Sequence, residues 1–237
     1  HVFKENNRNR TMLPINRSCE QACLWCGRKL EDQEDLLRSF YHPDLICDKC
    51  RKEMKYRPLT ITKEGLKIEM LYPYSNLGRE MLIQYKELGD EALFPLFLHL
   101  NKDKLRHKYR KYTLVPLPSS LEAYKRRGFN QVNEIFSVLE LPICELLEKE
   151  DVPEQKHLNR LQRYQASRKI RLIPGKQIPK TPILLVDDLI TTGYSIMASY
   201  QCFKGINPQI QALCVFGHHF YYENASKIEK LGFFLND

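Results

Sequence analysis

The sequence predicts an α/β protein: a parallel sheet flanked by helices, with a small metal-bound unit ahead of it. Three observations carry that expectation. Short apolar runs near residues 114–118, 143–146, 183–187 and 210–216 alternate with stretches of helical period, the pattern of strand–helix–strand units. One of these runs ends in two acids and passes through a Thr-Thr-Gly turn into a helix. Two Cys-x-x-Cys pairs stand ahead of the first run.

At 237 residues, 43% of them hydrophobic, the chain is long enough for one medium domain and a small appendage. Residues 1–55 are expected to hold a polar arm and the metal unit, and residues 56–237 the sheet domain. A net charge of +8 favours anionic partners: phosphates, nucleic acid or an anionic membrane surface. No run reaches the ~18 apolar residues of a membrane-spanning helix, and no secretory leader is read at the start. Five of the eight cysteines, Cys19, Cys23, Cys26, Cys47 and Cys50, lie within the first fifty residues. Paired Cys-x-x-Cys spacing points to a metal site in a reducing compartment rather than to a disulfide scaffold, so a cytoplasmic location is expected.

The metal ligands expected are Cys23, Cys26, Cys47 and Cys50. The two knuckles are separated by 20 residues, at the edge of the window for four-thiolate zinc sites. Each turn lets two thiolates converge on one ion, and Gly27 relieves the first turn. Four thiolates leave no open coordination position, so the role is structural. Roughly thirty residues cannot bury a core alone, and the ion would supply folding energy. Cys19 is the spare thiol, and Cys144, Cys202 and Cys214 stand in apolar surroundings as core residues.

Residues 56–70 read as a linker with short strand character around Leu59–Ile61 and Leu66–Met70. Leu77, Met81, Tyr85 and Leu88 then recur at helical spacing, ending at the C-cap residue Gly89. Lys86, near that end, is either a phosphate ligand or a solvent-facing lysine. A second helix follows with Pro95 expected in its first turn. Six of residues 102–111 are Lys or Arg, with Tyr109 and Tyr112 interleaved. Charge mixed with aromatic platforms binds single-stranded nucleic acid, and Arg106, Arg110 and Lys111 are the candidate contacts. A solvated helix end is the other reading. After the 114–118 strand comes Lys125-Arg126-Arg127-Gly128-Phe129-Asn130-Gln131, either an anion site or a basic turn. A helix follows over residues 130–139. A charged, weakly periodic stretch, 148–171, leads to the acid-ended strand. Another strand, residues 210–216, and a short helix over 226–231 close the chain.

The stretch Ile183-Leu184-Leu185-Val186-Asp187-Asp188, then Thr191-Thr192-Gly193-Tyr194-Ser195, organises the rest. Its apolar part reads as a strand buried on both faces. The turn leads into a helix N-terminus, where free N–H groups and the dipole favour a phosphate. Thr191, Thr192 and Ser195 add hydroxyl donors, and Gly193 allows close backbone approach. Asp187 and Asp188 suit a sugar diol or a hard cation holding one. Together these groups describe a ribose 5-phosphate site.

This stretch resembles the phosphoribosyl pyrophosphate (PRPP) motif of type I phosphoribosyltransferases. Family members carry a small residue where Tyr194 stands. The Arg127-Gly128-Phe129-Asn130-Gln131 segment, with Pro116 and Pro118 ahead of it, resembles the ComF family, as do the knuckles and their order. Gln155, Leu158, Arg160 and Arg163 are similar to that family's mobile hood, although Ala166 replaces its usual Asn. The resemblance implies a type I phosphoribosyltransferase-like sheet with an N-terminal zinc ribbon. It implies PRPP binding with Mg²⁺, Arg127 holding pyrophosphate or bracing its loop. It also implies a role in natural competence and DNA uptake, with single-stranded DNA and a helicase-like ATPase (ComFA) as partners at the inner face of the membrane. The alternative it leaves open is an active phosphoribosyltransferase with an unidentified acceptor and no assigned catalytic residue.

Overall fold

The structure is a computed structural model describing residues 22–30, 45–119, 130–149, 170–207 and 209–225. A short helix, α1 (Asp48–Met54), follows the second knuckle. Strands β1 (Leu59–Lys63) and β2 (Leu66–Pro73) pair antiparallel. Their two-residue turn is Glu64-Gly65, both at positive φ (47° and 86°), the turn whose twist matches a hairpin. Helix α2 (Asn76–Lys86) is capped by Ser75, whose Oγ accepts from Gly78 N. Two 3₁₀ segments, Glu91–Phe97 and His99–Asn101, lead into α3 (Lys102–Tyr109). The chain continues through β3 (Thr113–Pro116), α4 (Gln131–Ser137), β4 (Leu147–Lys149) and β5 (Ile170–Leu172). It ends in β6 (Ile183–Ile190), α5 (Tyr194–Phe203), β7 (Ile210–Gly217) and α6 (His219–Glu223).

Among the described residues, the main sheet runs β1-β2-β7-β6-β3. All its neighbours except β1 and β2 are parallel. The fold is therefore α/β with a central parallel sheet, as the sequence predicts. Alternation along β6 separates two cores. Leu184 and Val186 pack with α2, α3, α4 and the 3₁₀ segments, through Met81, Tyr85, Phe97, Leu105 and Phe136. Ile183 and Leu185 pack with α5, α6 and the β4–β5 ribbon, through Ile196, Phe203, Tyr221 and Leu147. Helix α2 lies close on the sheet at Gly78, where an added Cβ would stand 2.7 Å from the Phe216 ring.

The N-terminal unit shares the first of these cores. Cys23, Ile46, Cys50 and Met54 are buried in the same cluster as Tyr72, Leu77 and Phe216.

Three expectations are corrected. Residues 56–70 are not a linker: the strand character read around Leu59–Ile61 and Leu66–Met70 belongs to full strands β1 and β2, and β2 lies inside the sheet between β1 and β7. The charged Lys67 and Glu69 hide this interior position in the sequence. Glu69 is nevertheless buried, because Lys108 Nζ and the Tyr109 hydroxyl both reach its Oε2, each at 2.5 Å. Residues 143–146 form no full strand, only a parallel bridge from Ile143 to Leu114. The chain then pairs as β4 with β5 in a separate ribbon. Pro95 sits deep in a 3₁₀ segment rather than in a first turn. The helix expected over residues 226–231 and the hood positions lie outside the described residues, as does Arg127.

Candidate functional site

The carboxyl ends of the four parallel strands gather at one edge, where open α/β sheets hold ligands. Ile190 of β6 pairs with Gly217 of β7. Tyr74 N, just after β2, donates to Gly217 O at 2.8 Å, and His218 N donates to Ile190 O at 3.0 Å. Leu117 N, just after β3, donates to Val186 O at 2.9 Å. Strand β6 runs past both aspartates to Ile190, so the acid pair lies inside the strand. The turn 191–193 follows at once.

Gly193 is the N-cap of α5, at φ 77°, and no side chain caps the helix. Its left-handed backbone is one that glycine adopts without strain, and the uncapped first turn leaves the helix's positive end for another acceptor. Thr191 is exposed, Thr192 and Ser195 are half-buried, and Gly193 is buried. Tyr194 is 47% exposed.

The two aspartates are not equivalent. Successive strand residues face opposite sides of a sheet. Asp188, buried at 4% exposure, forms an ion pair with Lys86 Nζ at the end of α2. Asp187 is half-buried and accepts from Asp188 N through Oδ1 at 2.9 Å. Burial, and then the adjacent Asp188 charge, push the Asp187 carboxyl up to about 7, against the pull of Lys86 and Lys149. The sequence left Lys86 between a phosphate ligand and a solvent-facing lysine; its partner in the structure is Asp188.

The four predicted metal ligands converge. The Sγ atoms of Cys23, Cys26, Cys47 and Cys50 all lie within 4.8 Å of one another. Cys26 and Cys47 stand 3.7 Å apart; a tetrahedral ion with bonds of about 2.3 Å needs sulfur separations of about 3.8 Å. Local structure explains the convergence. Gly27, at φ 68°, closes the first turn by donating to Cys23 O at 2.9 Å. Cys47 is the N-cap of α1 and Cys50 lies within it. Leu24 N donates to Leu45 O at 2.9 Å, joining the two halves. Burial raises the Cys23 thiol, but backbone N–H groups of Cys26, Cys47 and Trp25 outweigh it and bring the thiol down to about 7. Burial and the neighbouring sulfurs push Cys50 up. The cluster can hold a metal such as zinc.

Lys111, the last of the basic residues 102–111, lies at the other edge of the sheet. Lys111 is two residues ahead of β3, whose Thr113 is in register with Ile183 at the start of β6. The turn after β6 is therefore about 26 Å away at 3.3 Å per residue. Arg106 Nη1 pairs with Glu140 Oε2 at 2.7 Å, and Lys102 Nζ pairs with Oε1 at 2.9 Å. Arg110 Nη1 donates to His107 O at 3.2 Å. Lys111 is exposed. Tyr109 is buried on Glu69 and offers no stacking face. The sequence missed an exposed ring beside α3: Tyr56, 38% exposed, with Lys104 Nζ 5.7 Å from its centroid. Lys55 and Arg57, on either side of Tyr56, are exposed as well. Only the fold brings Tyr56 beside α3, while Arg57 lies over the Tyr222 ring, 5.7 Å from its centroid.

No family model matches the chain. The competence protein ComFC of Streptococcus pneumoniae is 32% identical over 136 residues, covering 56% of this chain and 61% of that protein. The chain is similar to ComFC competence proteins. That of Bacillus subtilis is 27% identical over 134 residues, covering 56% of this chain and 55% of its own. The matches span less than two thirds of either ComFC protein. Among solved structures, adenine phosphoribosyltransferase from Saccharomyces cerevisiae is similar with a TM-score of 0.39 and 14% identity, over 75% of this chain and 93% of that one.

Elemental analysis of freshly purified protein is expected to find one zinc per chain. Replacing Cys47 and Cys50 together with Ser removes it and lowers the thermal midpoint, because Cys50 lies in the main core; protein free of zinc would refute the site. The Asp187 carboxyl also predicts a pH dependence. A carboxyl whose pKa rises on folding favours the native state below its ordinary value of 3.8, and that contribution is lost as pH rises to about 7. Asp187→Asn is therefore expected to raise the thermal midpoint over wild type at pH 8, with the gain shrinking toward pH 5. An equal offset at both pH values would count against it.

Proposed function

We propose that this chain is a ComF-type competence factor that binds PRPP at the carboxyl edge of its sheet. One observation carries this reading: an acid pair in the central strand runs directly into a left-handed glycine and an uncapped helix start, with Lys86 alongside. The 5-phosphate would take the first-turn amides of α5, aided by Thr191, Thr192 and Ser195. Asp187 would meet the ribose hydroxyls or the Mg²⁺ that accompanies the diphosphate. Arg127, outside the described residues, would add charge from the segment just ahead of α4. Similarity to ComFC supports a role in DNA uptake, with single-stranded DNA and a ComFA-like ATPase as partners. Arg106, Arg110 and Lys111, beside Lys104 and Tyr56, would track the strand's phosphates. Domains at 1–55 and 56–237 and a cytoplasmic location belong to the same proposal.

A second reading is an active phosphoribosyltransferase. The near-neutral Asp187 carboxyl favours it, since such a group can take a proton from an acceptor.

Calorimetry with PRPP and Mg²⁺ tests the first reading. Wild type is expected to bind, and Asp187→Asn with Asp188→Asn to lose binding while keeping the fold; retained binding would contradict the site. Labelled PRPP separates the readings, because pyrophosphate release that depends on a base acceptor would establish turnover. For nucleic acid, neutralising Arg106, Arg110 and Lys111 together is expected to weaken single-strand binding. The slope of log affinity against log salt should fall by about 2, at about 0.7 per phosphate contact. An unchanged affinity and slope would remove this face.

A further inference from the structure

We propose that Lys86, while its ion pair cancels buried Asp188, also donates to a phosphate oxygen of the ligand, leaving Asp187 as the carboxylate that meets the sugar. This deepens the sugar-phosphate reading above and rests on it.

A strand carrying two adjacent carboxylates near its end is a poor host for a diphosphate, since like charges repel through a partly buried site. The structure resolves this by dividing the pair. Asp188 shares strand parity with Leu184 and Val186, whose core contains α2. It meets Lys86, the last residue of that helix. At 4% exposure, Asp188 has little surface to offer a sugar hydroxyl. Asp187 shares parity with Ile183 and Leu185, on the opposite face.

Lys86 is placed to act outward as well as inward. Its side chain is 26% exposed, so the ammonium stands between a buried acid and solvent. An ammonium has three donors; the contact with Asp188 leaves capacity for a phosphate oxygen.

The helix end is fixed. The Tyr85 hydroxyl donates to Gln131 O at 3.0 Å, and Gln131 Nε2 donates back to Tyr85 O at 3.4 Å. Gln84 Nε2 donates to Asp90 Oδ2 at 3.1 Å, across Gly89 at φ 74°. Lys86 is thus locked next to the start of α4 and cannot drift from the strand end without breaking this clamp.

The test is calorimetry of the full chain with PRPP and Mg²⁺ on wild type, Lys86→Arg, Lys86→Gln, and Lys86→Gln with Asp188→Asn. The double variant removes both charges, leaves no unpaired buried acid, and keeps the measurement valid if the single variant fails to fold. Lys86→Gln and the double variant are expected to weaken binding about tenfold or more, the scale of one lost charge-assisted contact. Lys86→Arg is expected to hold most of the affinity. The double variant should keep the wild-type thermal midpoint, which separates lost binding from lost fold. If wild type binds and the double variant binds equally well, Lys86 is only a structural counter-ion and this assignment fails, while the sugar-phosphate reading stands. If wild type does not bind, both fail.

Discussion

A carboxylate with 4% exposure inside a central strand cannot remain charged alone. Asp188 is tolerated because α2 ends one ammonium away, and α2 ends there because Ser75 caps its start, Gly78 lets it lie on Phe216, and Gly89 follows its last turn. The helix is held in turn by Tyr85 and Gln131, which join it to α4. Helices α2 and α4 and strand β6 therefore converge on one ion pair. That convergence shapes the strand end, with one acid neutralised from the helix side and the other left on the far face.

The two cores divide the labour. The face with α2, α3 and α4 contains large aromatics: Tyr72, Tyr85, Phe97, Tyr109, Phe136 and Phe216. It also receives the cysteine unit. The opposite face packs α5, α6 and the β4–β5 ribbon. The basic helix α3 is fixed to the sheet through Glu69. The interaction that buries Tyr109 thus turns one side of α3 inward and leaves Lys104 and Lys111 on the surface.

The sequence made much of this legible, for physical reasons that differ by residue. Strand β6 was readable because burial on both faces requires an unbroken apolar run, and Ile183 to Val186 supply one. The cysteine cluster was readable because thiolate spacing is a local property of two tight turns. The strand character at Leu66–Met70 was readable, but the interior place of β2 in the sheet was not, because Lys67 and Glu69 read as exposed and the partners that let Glu69 be buried, Lys108 and Tyr109, lie about forty residues away. The division of the acid pair was likewise hidden: two adjacent aspartates look alike in a sequence, and only the pleat and the position of Lys86 tell them apart. Tyr56 as a neighbour of Lys104 required the tertiary fold.

Cys23, Ile46, Cys50 and Met54 pack in the same buried cluster as Tyr72 and Phe216, so the sulfur-bearing knuckles and the sheet form one cooperative body. Cys26 is the exposed thiol of the four and the natural point of entry for an oxidant or alkylating reagent. Damage that begins at that surface atom would register in the interior of β2 and β7, as global unfolding rather than as a local lesion.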